Sequence, residues 1–393
     1  MKKIVSIDEL QVGMFVHAIT QTSTKLAVKS QGVVKTQSTI DMLKNNGIEA
    51  LEIDLSKGNF SAEQAESGPP PSISNKNISC EQHQQDLTKA NKLYSQSRSI
   101  HSDFLHQLKG GQSPDFDSLH TLSQEIIDSV FENTDALACL VMLQESDDYL
   151  VQHSLNCSIL MTIFAKFKGF SQAEVEDLTL AGLLMDCGMA LLPSELYNNS
   201  APLTEADHTL LRTHVDIGYE IAERFSDVPP LVLDIIAHHH ERIDGTGYPK
   251  QLSGDDISVY SQMAGIVDSY ENMLSAHHDA SNTCSQAFLE DLQNNSAHDT
   301  ELVNEFIKAI GLYPVGSLVK LTNGKLAIVV KRNYKDPLKP TVMTFYSTRN
   351  KHLTEVKRID LYRQSSDKIV GCVRPDEFNL NLPGFFKSAL LDK

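Results

Sequence analysis

Positive charge is scarce in this chain: 34 lysines and arginines face 51 aspartates and glutamates, for a formal net charge of −17. Such a surface repels nucleic acid and anionic membrane, so no nucleic-acid partner is expected. A small anionic ligand would need a local patch of cations or metal. Cysteine is also sparse. The six, Cys80, Cys139, Cys157, Cys187, Cys284 and Cys372, form no CxxC pair and follow no regular spacing, which reads as scattered reduced thiols of a cytosolic protein. No long apolar run is present. The longest, 178–193, contains Asp186 and is shorter than the about 20 residues a bilayer span requires. The opening MKKIVSIDEL turns acidic by Asp8 and lacks the apolar core of a secretory signal. There is no internal repeat. A cytoplasmic protein without a membrane span is the expectation.

What is present divides into segments, and 393 residues suit two or three domains. Residues 1–56 read as a small β-rich unit: IVSIDELQVGMFVHAIT alternates apolar and polar residues around a turn at Gly13, TQSTIDMLKNNG is a short helix stopped by Gly47, and IEALEIDL is another strand. Residues 57–85 lose hydrophobicity to Pro, Ser, Gly and Asn and read as a flexible linker. Residues 86–310 are helical in pattern. Leu155, Ile159, Ile163 and Phe167 recur every four residues, and Leu210, His214, Ile217, Ile221 and Phe225 do much the same. One buried stripe per helix and an all-α domain follow. In 311–393, GSLVKLTNGKLAIVVKRN places two β-type runs around Asn323-Gly324, a hairpin signal, and TVMTFYS and 369–373 read as further strands of a small barrel or sheet. The expected fold is mainly α, a helical bundle with small β-rich units at both ends.

The helical region disperses a set of possible metal ligands: His153, Asp186, His214, His239, His240 and Asp268, separated by 33, 28, 25, 1 and 28 residues. A site built across several helices needs such scatter, because each helix contributes one or two inward-facing groups. Imidazole and carboxylate suit Fe, Mn, Zn, Ni or Co without choosing among them. Spacing alone is a weak signal, since any one histidine can be an ordinary core or surface residue. The segment HHHERIDGTGYPKQLSG says more. Three histidines precede Glu241, and Gly245 and Gly247 flank Thr246. Glycines so dense imply a tight loop with positive φ or close backbone approach, whereas a plain helix exit needs one glycine and no histidine run.

HHERIDGTGYP, residues 239–249, resembles the HHExxDGxGYP signature of HD-GYP domains and matches it in full. The resemblance continues through QHSLNCSIL, LLMDCGMALLP, APLTEADHTLLRTHVDIG and GIVDSY, spanning roughly 140–280. The first 135 residues resemble an uncharacterised domain often found ahead of HD-GYP domains, with VGMFV the best match, and GSLVKLTNGKLAIVV is similar to the β-extension of that subgroup. The resemblance implies an HD-domain helical bundle that uses two metals, sometimes three, to cleave cyclic di-GMP to pGpG or GMP, with Asp186 and Asp268 as carboxylates of the catalytic centre. By position, Asp186, His214, His239 and His240 would hold one ion. His153, Asp186 as bridge, and Asp268 would hold the other. Glu241, Asp244, Gly245, Gly247, Tyr248 and Pro249 would form the ligand or partner loop.

Three departures stand out. The histidine of the HD pair is replaced by Met185, whose thioether is a poor ligand beside carboxylates. Met189 stands where the resemblance implies a lysine, and His277 where it implies an arginine. The glutamate of three-metal members corresponds to Tyr149, so a third metal is not expected, and one tightly bound divalent ion is. The implied ligand is cyclic di-GMP, with a diguanylate cyclase-type or other signalling protein as a further partner class. Three functions remain open on sequence: a signalling protein of impaired or lost phosphodiesterase activity acting by ligand or partner binding, an active metal-dependent phosphodiesterase, and a structural interaction module without ligand.

Overall fold

The structure is a computed structural model that describes residues 2–7, 10, 14–22, 32–34, 40, 44, 48–54, 75–143, 148–198, 202–275, 285–363, 366–378, 380, 382 and 384. The chain divides into two compact units, Met1–Ser74 and Asn75–Lys393.

In the first unit, strands β1 (Lys2–Ser6), β2 (Phe15–Thr22), β3 (Gly32–Val33) and β4 (Ile48–Asp54) form an antiparallel sheet in the order β1-β4-β2-β3. Alternation places Leu51 and Ile53 on the face that buries Ile7, Leu10, Met14, Val16, Val34 and Ile40. The expected turn at Gly13 and most of the helix before Gly47 lie outside the described residues.

The second unit opens with α1 (Asn75–Lys109), followed by α2 (Phe116–Glu132), α3 (Thr134–Leu143), α4 (Tyr149–Lys168) and α5 (Gln172–Leu184). After a 3-10 turn, Cys187–Leu191, come α6 (Glu195–Asn198), α7 (Glu205–Arg212), α8 (His214–Glu223), α9 (Pro230–His238), α10 (Val259–Ser275), α11 (Ser285–Asn294) and α12 (Thr300–Ile310). Local chemistry sets several of these limits. Asp148 caps α4 by accepting from the Val151 amide, and Gly169 ends it in the left-handed region. Ser171 and Glu174 form a reciprocal capping box at the start of α5, as Thr204 and Asp207 do for α7.

Helix α4 corrects the expectation of a single apolar stripe. It is the central rod of the bundle, buried around its circumference from Leu150 to Ala165 apart from Gln152. Some of its inward polar groups bond within the core: Ser158 donates to the Thr179 carbonyl, and Thr162 bonds to the Ser158 carbonyl and the Thr179 hydroxyl. Phe167, expected in the stripe, is exposed, as is Leu210, because the second segment breaks at Thr213 into α7 and α8.

The chain ends in an antiparallel sheet of β5 (Leu318–Leu321), β6 (Lys325–Lys331), β7 (Thr341–Ser347), β8 (His352–Asp360) and β9 (Ile369–Cys372), in the order β8-β7-β6-β5-β9. The expected hairpin joins β5 to β6: Gly324 has φ +80°, and the Asn323 side chain accepts from the Lys325 amide. Strand β8 has no counterpart in the sequence reading because HLTEVKRID carries little apolar signal; it is a sheet edge with mostly exposed or half-exposed residues.

Two boundaries move. Helix α1 starts at Asn75, so residues 75–85, read as linker, are helical; the Ser/Asn composition that suggested a linker also suits the polar start of a long helix. Residues 57–74 lie outside the described residues. The sheet from 311 onward is not a separate compact body. Phe306, Ala309, Ile310, Tyr313 and Val315 carry one apolar core from α12 into Leu318, Val319 and Val329. A buried ion pair, Arg332 Nε to Asp135 Oδ1 at 2.6 Å, ties β6's exit to α3. Among the described residues no helix is long and apolar enough to cross a membrane.

Candidate metal centre

Four helices and one turn aim side chains at a common point. His153 lies one turn into α4. Asp186 follows the C-cap of α5, Met185, at the entrance to the 3-10 turn. His214 begins α8, His239 and His240 follow the end of α9, and Asp268 lies on α10. Close backbone contact positions Asp186: a Cβ at Gly188 would lie 2.1 Å from the His214 carbonyl oxygen and 2.6 Å from the Gly218 nitrogen, so only glycine lets the turn meet α8.

The ligands expected from sequence converge into two groups, Asp186 with His214, His239 and His240, and His153 with Asp186 and Asp268. Within each, the ligand atoms lie within 4.8 Å of one another. Asp186 is shared. Its Oδ2 is 3.2 Å from His153 Nε2, and its Oδ1 is 3.4 Å from His214 Nε2 and 3.8 Å from His239 Nε2. Asp268 Oδ1 is 3.3 Å from His153 Nε2, and its Oδ2 is 3.6 Å from His240 Nδ1. His214 Nε2 is 3.2 Å from His240 Nε2 and 3.5 Å from His239 Nε2. Two nitrogens bonded to one ion at about 2.1 Å and a tetrahedral angle are about 3.4 Å apart.

The outward ring nitrogens fix these orientations. His214 Nδ1 donates to the Leu211 carbonyl at 2.6 Å, and His239 Nδ1 to the Ile236 carbonyl at 3.0 Å. His153 Nδ1 meets the Glu271 carboxylate. Each Nε2 is thereby left facing Asp186, the arrangement that presents a lone pair to a cation. Asp186 Oδ1 is buried with no hydrogen-bond partner. An orphaned carboxylate oxygen inside a cage of imidazoles suits a bound cation, so these residues fit a divalent metal.

Burial and the shared carboxylate set the electrostatics. Burial opposes charge on His153, yet neighbouring groups, the Glu271 and Asp186 carboxylates among them, leave it raised well above the ordinary histidine value. Burial pushes the Asp186 carboxyl up, but the imidazoles of His153 and His239 beside it outweigh this and hold the group well below the usual carboxylate range. Burial drives His240 well below the ordinary histidine value, helped by the neighbouring His239 and His214, and burial also lowers His214. Burial opposes charge on His239 too, yet the neighbouring Asp186 carboxylate raises it overall.

The loop after α9 borders this centre. Gly245 has φ +77°, and Gly247 packs so closely that a Cβ would lie 2.4 Å from the Arg242 nitrogen. Asp244 accepts from the Thr246 amide and hydroxyl, and buried Glu241 accepts from the Lys250 and Leu252 amides at 2.6 and 3.0 Å. Tyr248, joined to Pro249 by a cis peptide, stacks on His240 with centroids 4.6 Å apart. The Arg212 guanidinium lies 5.1 Å from the Tyr248 ring centre. Met185 and Met189 belong to the buried apolar core, and His277 lies outside the described residues. Tyr149 stacks on His153, and its hydroxyl donates to Asn272 Oδ1 at 2.5 Å, while Asn272 Nδ2 donates to Asp268 at 2.8 Å.

Residues 138–302 match the HD domain family, residues 2–119 a domain of unknown function (DUF3391), and residues 318–381 the KOW domain associated with HD domains. The chain carries an HD domain. The chain is 29% identical to cyclic di-GMP phosphodiesterase PA4108 of Pseudomonas aeruginosa, with 96% of this chain and 94% of that protein covered. It is 26% identical to cyclic di-GMP phosphodiesterase PdeB of Borreliella burgdorferi, over 56% of this chain and 57% of that protein. Among solved structures it resembles Bd1817, an HDG"Y"P protein from Bdellovibrio bacteriovorus, at 14% identity and TM-score 0.48, covering 78% of this chain and 98% of that one.

The sequence reading missed Glu271, Asn156, Asn272, Cys157 and Arg212. Its one available signal was helical spacing: Cys157 lies four residues after His153, and Glu271 and Asn272 lie three and four after Asp268, hence on the same faces as those ligands.

Proposed function

We propose that this protein is a cytoplasmic cyclic di-GMP signalling protein whose HD-GYP domain binds the cyclic dinucleotide at an asymmetric metal centre and hydrolyses it weakly. The observation that carries the reading is the sharing of Asp186 between a four-ligand group and a three-ligand group. Divalent ions held there supply positive charge to phosphate oxygens and lower the pKa of water. Asp186, His214, His239 and His240 suffice for one tightly held ion of the Fe, Mn, Zn, Ni or Co class. The group around His153 is short of one ligand, because Met185 turns a thioether into the apolar core. Met189 removes a cation that would meet phosphate. Arg212, resting on Tyr248, is placed to meet an anionic ligand at the loop. A fully active phosphodiesterase is the second reading, favoured by the near full-length similarity to a protein named as one. A diguanylate cyclase-type or other signalling protein is the partner class proposed for output.

The test compares full-length wild type, Met185→His, and Met185→His with Met189→Lys for metal content and cyclic di-GMP cleavage. Slow wild-type turnover that rises at least about tenfold with restored ligands is expected, since even indirect losses around a metal cost about 10- to 100-fold. An imidazole at 185 without metal is a buried polar group costing about 1–3 kcal/mol, so Met185→His should melt lower when stripped and recover with metal. Brisk wild-type turnover unchanged by the substitutions would overturn the impaired-enzyme reading in favour of the second.

A further inference from the structure

Two hydrogen bonds lead outward from the short group. Asn272 lies one helical turn after Asp268 on α10, and its Nδ2 donates to Asp268 Oδ1 at 2.8 Å. Its own Oδ1 accepts from the Tyr149 hydroxyl at 2.5 Å, across 123 positions of the chain. Tyr149 opens α4 one turn before His153 and stacks on that imidazole, with centroids 5.4 Å apart and the planes 19° from parallel. We propose that Tyr149 and Asn272 are positioning residues for the ion of the His153–Asp186–Asp268 group, forming a one-way hydrogen-bond relay that holds the Asp268 carboxylate in its ligating pose. The proposal rests on the metal-binding reading above and concerns only its weaker site.

Chemistry fixes the direction of the relay. A carboxylate that binds a cation is ionised and only accepts, so the Asn272 amide turns its Nδ2 toward Asp268. The amide oxygen then faces Tyr149, and the hydroxyl donates to it. One lone pair of Asp268 Oδ1 is engaged by Asn272. The other is left for an ion shared with His153 Nε2, 3.3 Å away, while Oδ2 lies 3.6 Å from His240 Nδ1. The carboxylate cannot turn out of this pose without breaking the bond to Asn272, and the hydroxyl in turn keeps the amide from rotating. A neutral amide suits the task, because a lysine or arginine in its place would compete with the metal for the carboxylate charge. The support is reciprocal between two helices. His153 of α4 is held at Nδ1 by Glu271 of α10, and Asp268 of α10 is held through Asn272 by Tyr149 of α4. A site with three ligands, one of them shared, depends on such preorganisation more than the four-ligand site does.

The experiment titrates zinc(II) by calorimetry into stripped full-length wild type, Tyr149→Phe, Asn272→Leu and the double variant, and records the melting temperature of each without metal. Tyr149→Phe keeps the ring on His153 and removes only the hydroxyl. Wild type should bind two ions, the second more weakly. The second ion should be weakened about 10-fold by Tyr149→Phe and about 10- to 100-fold by Asn272→Leu, with the first ion and the melting temperature of the stripped protein little changed. Because the hydroxyl acts only through the amide, the double variant should bind no worse than Asn272→Leu alone. A second ion bound as tightly by either single variant as by wild type, or losses that add in the double variant, would overturn the relay and leave the metal reading standing. Loss of both ions together, with a lower melting temperature of the stripped protein, would mark a merely structural role and overturn it as well. Wild type that binds a single ion would overturn the proposal together with the three-ligand site, and wild type that binds none would overturn the metal reading itself.

Discussion

Arg212 is the residue whose importance rests most on its neighbours. Its guanidinium lies over Tyr248, which itself stacks on the metal-group residue His240, so a planar cation sits at the rim of the centre where Met189 offers none. A charge-assisted hydrogen bond contributes about 1.5–3 kcal/mol. Arg212→Ala is therefore expected to weaken cyclic di-GMP binding by about 10- to 100-fold in calorimetric titration, with the metal content unchanged. Equal affinity in the variant would remove Arg212 from the ligand's path. Residues such as this were hidden in the sequence for a physical reason. The histidines and aspartates were legible because the loop motif and the segments that continue its resemblance name their type and order. Arg212, Asn272 and Glu271 acquire meaning only once the inward faces of α7 and α10 are known.

At the scale of elements, α1 carries a feature that titrates. His101 is fully buried against Phe104, with ring centroids 6.2 Å apart, and neither ring nitrogen has a partner. Burial lowers its pKa to about 4. The unfolded chain takes up this proton near pH 6.5, and the fold refuses it until about pH 4. The neutral ring's contribution is therefore fully present above pH 6.5 and is lost progressively as pH falls toward 4. His101→Phe is expected to flatten the fall in melting temperature between pH 6.5 and 4, leaving a variant more stable than wild type at pH 5. An unchanged pH profile would show that His101 is solvated in the native state. Elements were legible where a period and a stop signal coincided, as at the Asn323-Gly324 hairpin. They were not where tertiary burial overrode the pattern: α4 is enclosed on all sides, so its Ser, Asn and Thr positions break the apolar period while lying in the core.

For the whole molecule, the decisive link is between bundle and terminal sheet. Asp135 and Arg332 are 197 positions apart, buried, and joined by hydrogen bonds from both the backbone amide and Nε of Arg332. Removing one partner of a buried pair strands the other charge, at about 3–5 kcal/mol, whereas an apolar replacement of both is often near neutral. Asp135→Ala and Arg332→Ala should each lower the denaturation midpoint strongly. Asp135→Leu with Arg332→Met should recover most of the loss; a double variant as unstable as the sum of the singles would mean that the pair does not act as a unit. The sequence led to a small β-unit packed on the bundle, but not to this pair, because neither a shared core nor a pair so distant leaves a local trace.

The dispersal of the centre also dictates when in the life of the chain an ion can enter. Its donors run from His153 to Asp268, and only His239 and His240 are neighbours. In an unfolded chain, gathering four of them means closing several long loops at once, each at an entropic cost that grows with its length. An ion is therefore expected to bind only after α4, α5, α8, α9 and α10 have assembled. It would be a late seal on finished architecture, not the template around which the helices gather.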